Sequence, residues 1–333
     1  MTFDLPLIFA GIVAFAVIMY VLLDGFDLGI GILFPWIQGD SDRDVMINSI
    51  APIWDGNETW LVFGAAILYG AFPVAYSSLL PILYLPLMIM LCALVFRGVA
   101  FEFRSKAMKS KILWDIAFAG GATIAAFCQG LILGTFVQGY ANVPTGMGGS
   151  FAWLSPFSIM TGLGVVAGYA LLGAAWLIMK TEGQLQKTMF HAAKILIWVV
   201  GFFMALVSVW TPYIDPKIMQ RWFSLPNFYY LMPLPTFTAA AVLGMVIALY
   251  KGKENWPFLL TIVTFLLGYF GLMISSWPYI VPHSVTLWQA ASSPNSLKFI
   301  LVGVVILLPV LLGYSSYAYW VFKGKVKAHE GYH

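Results

Sequence analysis

Charge is scarce in this chain, and that scarcity excludes most classes of soluble protein. Only 9% of the 333 residues are charged and 61% are hydrophobic, whereas ordinary soluble domains carry roughly 25% charged residues. The mean hydropathy is +0.88. A chain of this composition is expected to be an integral membrane protein, and its net charge of +3 gives no indication of nucleic-acid binding.

Cysteine and histidine are also rare, which argues against a metal centre held by this chain. Both cysteines, Cys92 and Cys128, lie in apolar runs, where a small buried side chain is the ordinary role. Haem in a membrane usually takes His or Met ligands from within helices, and only His191 lies close to a predicted helix. The other three histidines are His283, His329 and His333. We therefore expect no metal site here.

Apolar runs account for most of the chain. Crossing ~30 Å of hydrocarbon takes about 20 residues, and nine runs are long enough: 5–36, 48–72, 74–99, 112–140, 153–179, 190–211, 232–250, 256–277 and 298–322. The linkers are short and leave no room for a soluble catalytic domain. We predict an all-α polytopic fold in one integral membrane domain over 1–333, with helices 1–4 at about 5–140, helices 5–8 at about 153–277 and helix 9 at about 298–322. The first run is expected to remain as an anchor.

The positive residues predict the orientation. Cytoplasmic loops retain Lys and Arg, and placing the N-terminus outside leaves only Lys217, Arg221 and Lys298, of the 17 Lys and Arg, on the outer side. A missed or invented helix would invert every loop after it. The distribution therefore supports nine helices, with the N-terminus outside and the C-terminus cytoplasmic.

Four carboxylates lie inside the apolar runs: Asp24 and Asp27 in the first, Asp55 and Glu58 in the second. An Asp at the centre of a membrane helix costs roughly 2.5–3.5 kcal/mol, so such groups usually face protein or water and mark function. Each pair is spaced i, i+3 and shares a helical face. Both pairs are expected to meet in the cytoplasmic half. Charged residues expected nearby are Arg97, Glu102, Arg104 and Asp115.

A structural role is the alternative for these charges. They could cap helices, reach the interface or form ion pairs that hold the first four helices together. The segment with Arg104, Lys106, Lys109 and Lys111 is expected to be a solvated basic loop. Gly25 and Gly29, four residues apart beside the aspartates, predict a close helix approach.

Three motifs resemble subunit II of the cytochrome bd-type quinol oxidases. They are Asp24-Gly25-Phe26-Asp27-Leu28-Gly29-Ile30-Gly31, the segment from Met46 to Trp60 that contains Trp54-Asp55-Gly56-Asn57-Glu58, and Phe96-Arg97-Gly98-Val99-Ala100-Phe101-Glu102-Phe103-Arg104. After about residue 115 the resemblance is one of layout. Glu58-Thr59 and Glu102-Phe103 depart from the pattern of the enterobacterial members of this family. The sequence as a whole more closely resembles the cyanide-insensitive branch.

The resemblance implies a haem-free subunit of a heterodimer in the bacterial cytoplasmic (inner) membrane. The partner, subunit I, would carry b-type and d-type haems, oxidise quinol and reduce oxygen to water in the aerobic respiratory chain. The implied fold is two four-helix bundles plus one further helix. A structural quinone, lipid and small single-helix subunits are further partners that the family allows.

The predicted role is a proton path. Asp55 with Glu58 is expected to pass protons from the cytoplasmic side towards the partner's haem site, with Asp24 and Asp27 shaping or extending its mouth. Trp54 and Arg97 would orient the carboxylates or contact a quinone headgroup, and Glu102 and Asp115 would belong to a quinone site or an ion-pair network. Two other classes fit the same residues: a proton- or ion-coupled secondary transporter, and a purely structural scaffold.

Overall fold

The protein is described by a computed structural model covering residues 3–107, 109–139 and 151–326. Nearly every element is a helix. In chain order these are α1 (Leu5–Leu33), α2 (Asp40–Asn48), α3 (Trp54–Ala71), α4 (Pro73–Arg104), α5 (Lys111–Gln138), α6 (Pro156–Lys180), α7 (Gly183–Ile214), α8 (Pro216–Phe223), α9 (Asn227–Leu231), α10 (Pro233–Tyr250), α11 (Trp256–Ser276), α12 (Leu287–Ala290) and α13 (Pro294–Val321). Strands β1 (Tyr279–Val281) and β2 (Val285–Thr286) form an antiparallel hairpin between α11 and α12.

Local sequence explains where several long helices begin. Pro is the first helical residue in α6 and α13 and the second in α1, positions where its missing N–H would have had no helical partner. The Asp4 and Ser293 side chains accept hydrogen bonds from the first turns of α1 and α13. Ser155 and Ser158 form a reciprocal capping box at the start of α6.

Eight helices of the described residues are long and apolar enough to cross a membrane, and they correspond to eight of the nine predicted runs. The run at 48–72 differs. Its helix, α3, begins only at Trp54 because the preceding residues form the short helix α2 and a set of turns. Asp55, Asn57 and Glu58 in its first two turns lower its hydropathy below that of the others.

The two longest linkers between the predicted runs contain secondary structure of their own. Linker 212–231 contains the end of α7 and the short helices α8 and α9, and linker 278–297 contains the hairpin, α12 and the start of α13. The hairpin is tied to the helix ends around it: His283 pairs with Asp215, and the Trp288 indole donates to Asp4. We call this side of the molecule the hairpin end and the opposite side, with the α4–α5 connection, the basic end.

Helix α1 lies at the centre and packs against α3, α5 and α6. Its contact with α6 is a backbone approach between Gly29 and Gly173. A Cβ placed on Gly29 would lie 1.8 Å from the Tyr169 carbonyl oxygen, and one on Gly173 would lie 2.5 Å from the Gly29 carbonyl carbon. The close helix approach predicted from the glycine spacing is confirmed.

At the basic end, the last described residues are fastened to α6. The Lys180 ammonium donates to the carbonyl oxygens of Phe322 and Gly324, and the Val326 amide donates to the Lys180 carbonyl. Lys325 pairs with Glu254 at 2.8 Å, which lowers the pKa of that carboxyl and raises the pKa of Lys325. Residues 322–326 are thereby held against α6.

Candidate functional site

An arginine at the centre of the first helices gathers two of the predicted carboxylates. Arg97 Nη1 of α4 donates to Asp24 Oδ1 of α1 at 2.7 Å, and Nη2 donates to Glu58 Oε1 of α3 at 2.9 Å. The Arg97 and Asp24 side chains are 0% exposed, whereas that of Glu58 is 26% exposed. One guanidinium therefore connects three helices, with Glu58 as the member nearest the surface.

The third carboxylate, Asp27, is bound by an amide. Asn57 Nδ2 donates to Asp27 Oδ2 at 2.7 Å and, more weakly, to the Leu23 carbonyl at 3.3 Å. The Asn57 oxygen accepts from the Tyr319 hydroxyl of α13 at 3.0 Å. Asn57 thus joins the last long helix to the first. We call Asp24, Asp27, Asn57, Glu58 and Arg97 the acid cluster.

The acid cluster carries more negative groups than positive ones. Three carboxylates face one guanidinium, and uncompensated charge is expensive away from water. Asp24 Oδ2, Asp27 Oδ1 and Arg97 Nε are buried without a hydrogen-bond partner among the described residues. Buried polar atoms left in this way are usually satisfied by ordered water. The arrangement suits the uptake and sharing of protons.

One aromatic ring covers the arginine, and a second ring stacks on the first. The Trp54 ring lies 5.8 Å from the Arg97 guanidinium carbon, and the same indole stacks on Phe101 with ring centroids 4.8 Å apart. A cation held over an indole face is attracted to it by the ring quadrupole. Both Nη atoms of Arg97 are already used by carboxylates, so the Trp54 ring is the group that remains open to a further contact.

Asp55 lies outside the acid cluster. Its residue is exposed on α3, and the described residues provide no ion pair or side-chain hydrogen bond for its carboxylate. The prediction that all four carboxylates meet is therefore wrong for Asp55, since only Asp24, Asp27 and Glu58 come together. The spacing i, i+3 puts Asp55 and Glu58 on one broad face, but Glu58 turns towards Arg97 whereas Asp55 faces outwards.

A second charged network lies at the basic end. Asp115 of α5 accepts from Arg43 at 2.9 Å and from Arg104 at 2.5 Å, and Arg104 also donates to Asp44 at 2.5 Å. Lys111 bonds Asp40 at 3.2 Å and lowers the pKa of that carboxyl. This network ties α2 to the α4–α5 connection.

The basic network shows that the prediction for Arg104 is wrong, and it distinguishes the surroundings of Glu102 from those of Asp115. Arg104 is buried and paired, so its assignment to a solvated loop is wrong; the fixed carboxylate of Asp115 faces it across the helix connection. Lys106 is exposed, as predicted, and lies 3.9 Å from the equally exposed Glu102. Asp115 is thus a member of an ion-pair network, whereas Glu102 is a surface residue.

Replacing Asp115 by Asn is expected to destabilise the protein without affecting chemistry. Removing one partner of a buried ion pair costs about 3–5 kcal/mol, and Arg43 and Arg104 would both lose their carboxylate. The apparent melting temperature of the purified protein should fall, and Glu102→Gln is the exposed control that should leave it unchanged. Equal melting temperatures for the two variants would contradict a structural role for Asp115.

The described residues contain no group of three His, Cys, Asp or Glu arranged to hold a metal. His191 is exposed at the start of α7, and His283 is occupied by Asp215 at the hairpin end. His329 and His333 lie outside the described residues. Neither described histidine is near the acid cluster.

Several polar members of this region were not predicted from the sequence. Asn57 lies within the segment from Met46 to Trp60, but its uncharged side chain does not stand out beside Asp55 and Glu58. Tyr20, Gln129 and Tyr169 lie deep in apolar runs, and Gln129 carried a usable signal, since an amide in hydrocarbon needs a partner. Tyr319 carried no such signal, because no sequence pattern near it relates it to Asn57, which is 262 residues away.

Comparisons with known proteins agree along nearly the whole chain. The family model described as cytochrome bd terminal oxidase subunit II matches residues 5–322. The chain is 28% identical to the cytochrome bd-I ubiquinol oxidase subunit 2 of Escherichia coli strain K12, over 96% of this chain and 94% of that protein. It is also 28% identical to the cytochrome bd ubiquinol oxidase subunit 2 of Bacillus subtilis strain 168, with 96% of each chain covered.

A solved structure has the same fold. A chain of the bd oxidase from Geobacillus thermodenitrificans superposes with a TM-score of 0.77 at 16% identity, covering 96% of this chain and 99% of that one. At this identity the structural match is evidence for the fold alone. The family match spans far more than half of the sequence, and the chain therefore belongs to the cytochrome bd terminal oxidase subunit II family.

Proposed function

We propose that this chain is the haem-free subunit II of a quinol:oxygen oxidase, stabilising a haem-carrying subunit I and contributing a proton path for the reduction of oxygen to water. The observation that carries the proposal is the acid cluster, where three carboxylates share one buried arginine. Quinol oxidation and the b-type and d-type haems belong to the partner. The chain is a multi-pass protein of the bacterial cytoplasmic membrane.

The proposed topology has nine crossings, with α3 as the ninth. Its 18 residues reach about 27 Å at 1.5 Å per residue, close to the hydrocarbon thickness. The first bundle is formed by α1, α3, α4 and α5, and the second by α6, α7, α10 and α11. Packing of neighbours around each set of four supports this division, and α13 packs on α3 as the additional helix. The positive residues put the basic end in the cytoplasm and the N-terminus outside.

The proposed path begins at the surface of α3. An exposed carboxylate within a membrane helix requires water or protein rather than lipid next to it, so Asp55 is where the partner subunit or a water-filled crevice would meet this chain. Glu58, one turn further along and partly exposed, lies between Asp55 and Arg97. Protons would pass between Asp55 and Glu58 and be shared with Asp27 through ordered water, while Asp24 shapes the mouth of the path.

The comparisons give the transporter alternative no support. The structure also limits which residue a quinone headgroup could contact. A headgroup near this site would contact Trp54 rather than Arg97, because the Arg97 side chain is fully enclosed and both of its Nη atoms bind carboxylates. Trp54 is half-buried and already backed by Phe101. A structural quinone at this position would thus rest on the indole face.

Asp55→Asn in the assembled oxidase tests the path. Because the amide cannot carry a proton between water and Glu58, oxygen consumption per haem and proton uptake from the cytoplasmic side should fall about tenfold or more. Asp42→Asn, which removes a carboxylate of α2 that has no described ion pair, is the matched control. Haem content is measured in parallel. Normal turnover and proton uptake in Asp55→Asn would sink the assignment, and a loss of haem with unchanged turnover per haem would indicate the scaffold instead.

A further inference from the structure

Three uncharged polar side chains form a hydrogen-bonded chain next to the acid cluster. The Tyr169 hydroxyl of α6 donates to Gln129 Oε1 of α5 at 2.6 Å, and Gln129 Nε2 donates to the Tyr20 hydroxyl of α1 at 2.8 Å. These groups lie where three helices meet in the interior of the protein. In such surroundings a polar group without a partner costs several kcal/mol, so the three come as a linked set.

Packing fixes the position of this chain. The Tyr169 and Tyr20 residues are only 2% and 5% exposed. The Tyr169 ring lies against Gly25, where a Cβ would come within 2.9 Å of it, and stacks on Phe265 with centroids 6.1 Å apart. The glycine next to Asp24 thus makes room for a tyrosine that reaches Gln129 across the helix contact.

The direction of the hydrogen bonds leaves one proton to be placed. Tyr169 donates to Gln129 and Gln129 donates to Tyr20, so the Tyr20 oxygen is an acceptor and its own O–H must point elsewhere. Asp24 is four residues further along α1, one helical turn away and on the same face. Asp24 Oδ1 is used by Arg97, whereas Oδ2 has no other partner in the described part of the chain.

We propose that the Tyr20 hydroxyl, oriented by Gln129 and Tyr169, donates a hydrogen bond to Asp24 Oδ2. Tyr20 is then a positioning residue for that carboxylate. With Arg97 on one oxygen and Tyr20 on the other, Asp24 is held as the fixed anion of the acid cluster. The exchangeable protons then reside on the remaining two carboxylates. The other polar groups that face this region are Asp27 on α1, Asn57 and Glu58 on α3, and Tyr319 on α13.

This inference rests on the proposed function only for its effect on turnover; the hydrogen bond itself is tested separately. In the assembled oxidase, redox-induced infrared difference spectra assign the carboxylate bands of Asp24 as those lost in Asp24→Asn. Tyr20→Phe removes the donor and keeps the ring, so these bands should shift. Oxygen consumption per haem should fall about tenfold or more, the scale of a hydrogen bond to a charged group.

A double variant adds a readout that a packing role would not move. Because the tyrosine acts through the carboxylate, Tyr20→Phe should lower turnover no further in an Asp24→Asn background. Tyr269→Phe is the control: its hydroxyl also bonds α1, at the Ala14 carbonyl 2.8 Å away, and its loss should leave both the Asp24 bands and turnover unchanged.

Gln129→Leu serves as the second variant if Tyr20→Phe does not assemble, and it should shift the same bands because Tyr20 loses its support. Unshifted Asp24 bands in an assembled variant, or additive effects in the double variant, would overturn the inference. Full turnover and proton uptake in Asp24→Asn would instead remove Asp24 from the proposed path, while the infrared bands would still decide whether Tyr20 binds it.

Discussion

Replacing Arg97 by methionine is expected to abolish assembly of the oxidase. The methionine fills similar space but leaves Asp24 and Glu58 without their cation in a site where Asp24 is fully enclosed. Breaking a buried ion pair by removing one partner costs about 3–5 kcal/mol, and this arginine serves two partners. The free energy of unfolding of native proteins is only about 5–15 kcal/mol. Most of the variant should therefore be lost from the membrane fraction.

Two further variants separate charge from packing at Arg97. Arg97→Lys keeps the charge but cannot reach both carboxylates in a forked geometry, and it should assemble in reduced amount. Combining Arg97→Met with Asp24→Asn and Glu58→Gln removes all three charges together and should restore assembly without restoring turnover. Haem content and subunit ratio of the purified complex are the measurements. Full assembly of the single Arg97→Met variant would show that the acid cluster is already neutral without its arginine.

Replacing Gly29 by alanine is the second change with a large expected effect. Its added methyl would lie 1.8 Å from the Tyr169 carbonyl oxygen, far inside contact distance, and the neighbouring obstacle is the Gly173 backbone at 2.8 Å. Overpacking of a core typically costs about 1–3 kcal/mol when side chains can move aside. Here both obstacles are backbone, so α1 and α6 must separate, and the effect should exceed that range.

Gly11→Ala is the matched control, since the same helix has nothing within 4 Å of a Cβ at that position. Gly29→Ala and Gly173→Ala should each reduce the yield and thermal stability of the assembled complex severely, whereas Gly11→Ala should resemble the unchanged protein. Wild-type yield and melting temperature in Gly29→Ala would mean that the two helices do not cross as closely as described. Equal losses in Gly29→Ala and Gly11→Ala would indicate a general intolerance of α1 to alanine.

Hydrophobic run length predicted most of the fold, because crossing a membrane is mainly a matter of length and polarity. It failed at α2, whose Asp40–Asn48 sequence is too short and polar to register as a span, and it placed the start of α3 too early. The carboxylates of α1 and α3 were identifiable because a charge in an apolar run is conspicuous. The direction in which each side chain points from its helix could not be predicted in the same way. The prediction that Asp55 meets the other carboxylates is wrong for this reason.

Uncharged partners were the least predictable part of the site. Gln129 and Asn57 stand out only once a partner is required for them, whereas tyrosines are common at helix ends and in cores alike. The prediction that Arg104 lies in a solvated loop is wrong. It follows from the sequence because a run of basic residues after a helix usually belongs to such a loop. Its burial depends on Asp44 and Asp115, which come from other helices.

The hydrogen bond between Asn57 and Tyr319 has a consequence for the order in which the protein is made. The two residues are 262 positions apart, so the ribosome has produced nearly the entire chain before the Asn57 oxygen meets its donor. By then α1, α3 and α4 have been synthesised, so Arg97 is available to the carboxylates of Asp24 and Glu58. The hydrogen bond from α13 to the acid cluster therefore forms last. A nascent chain interrupted before that helix retains an unpaired Asn57 oxygen in its interior, a feature by which quality-control proteases could distinguish it from the complete subunit.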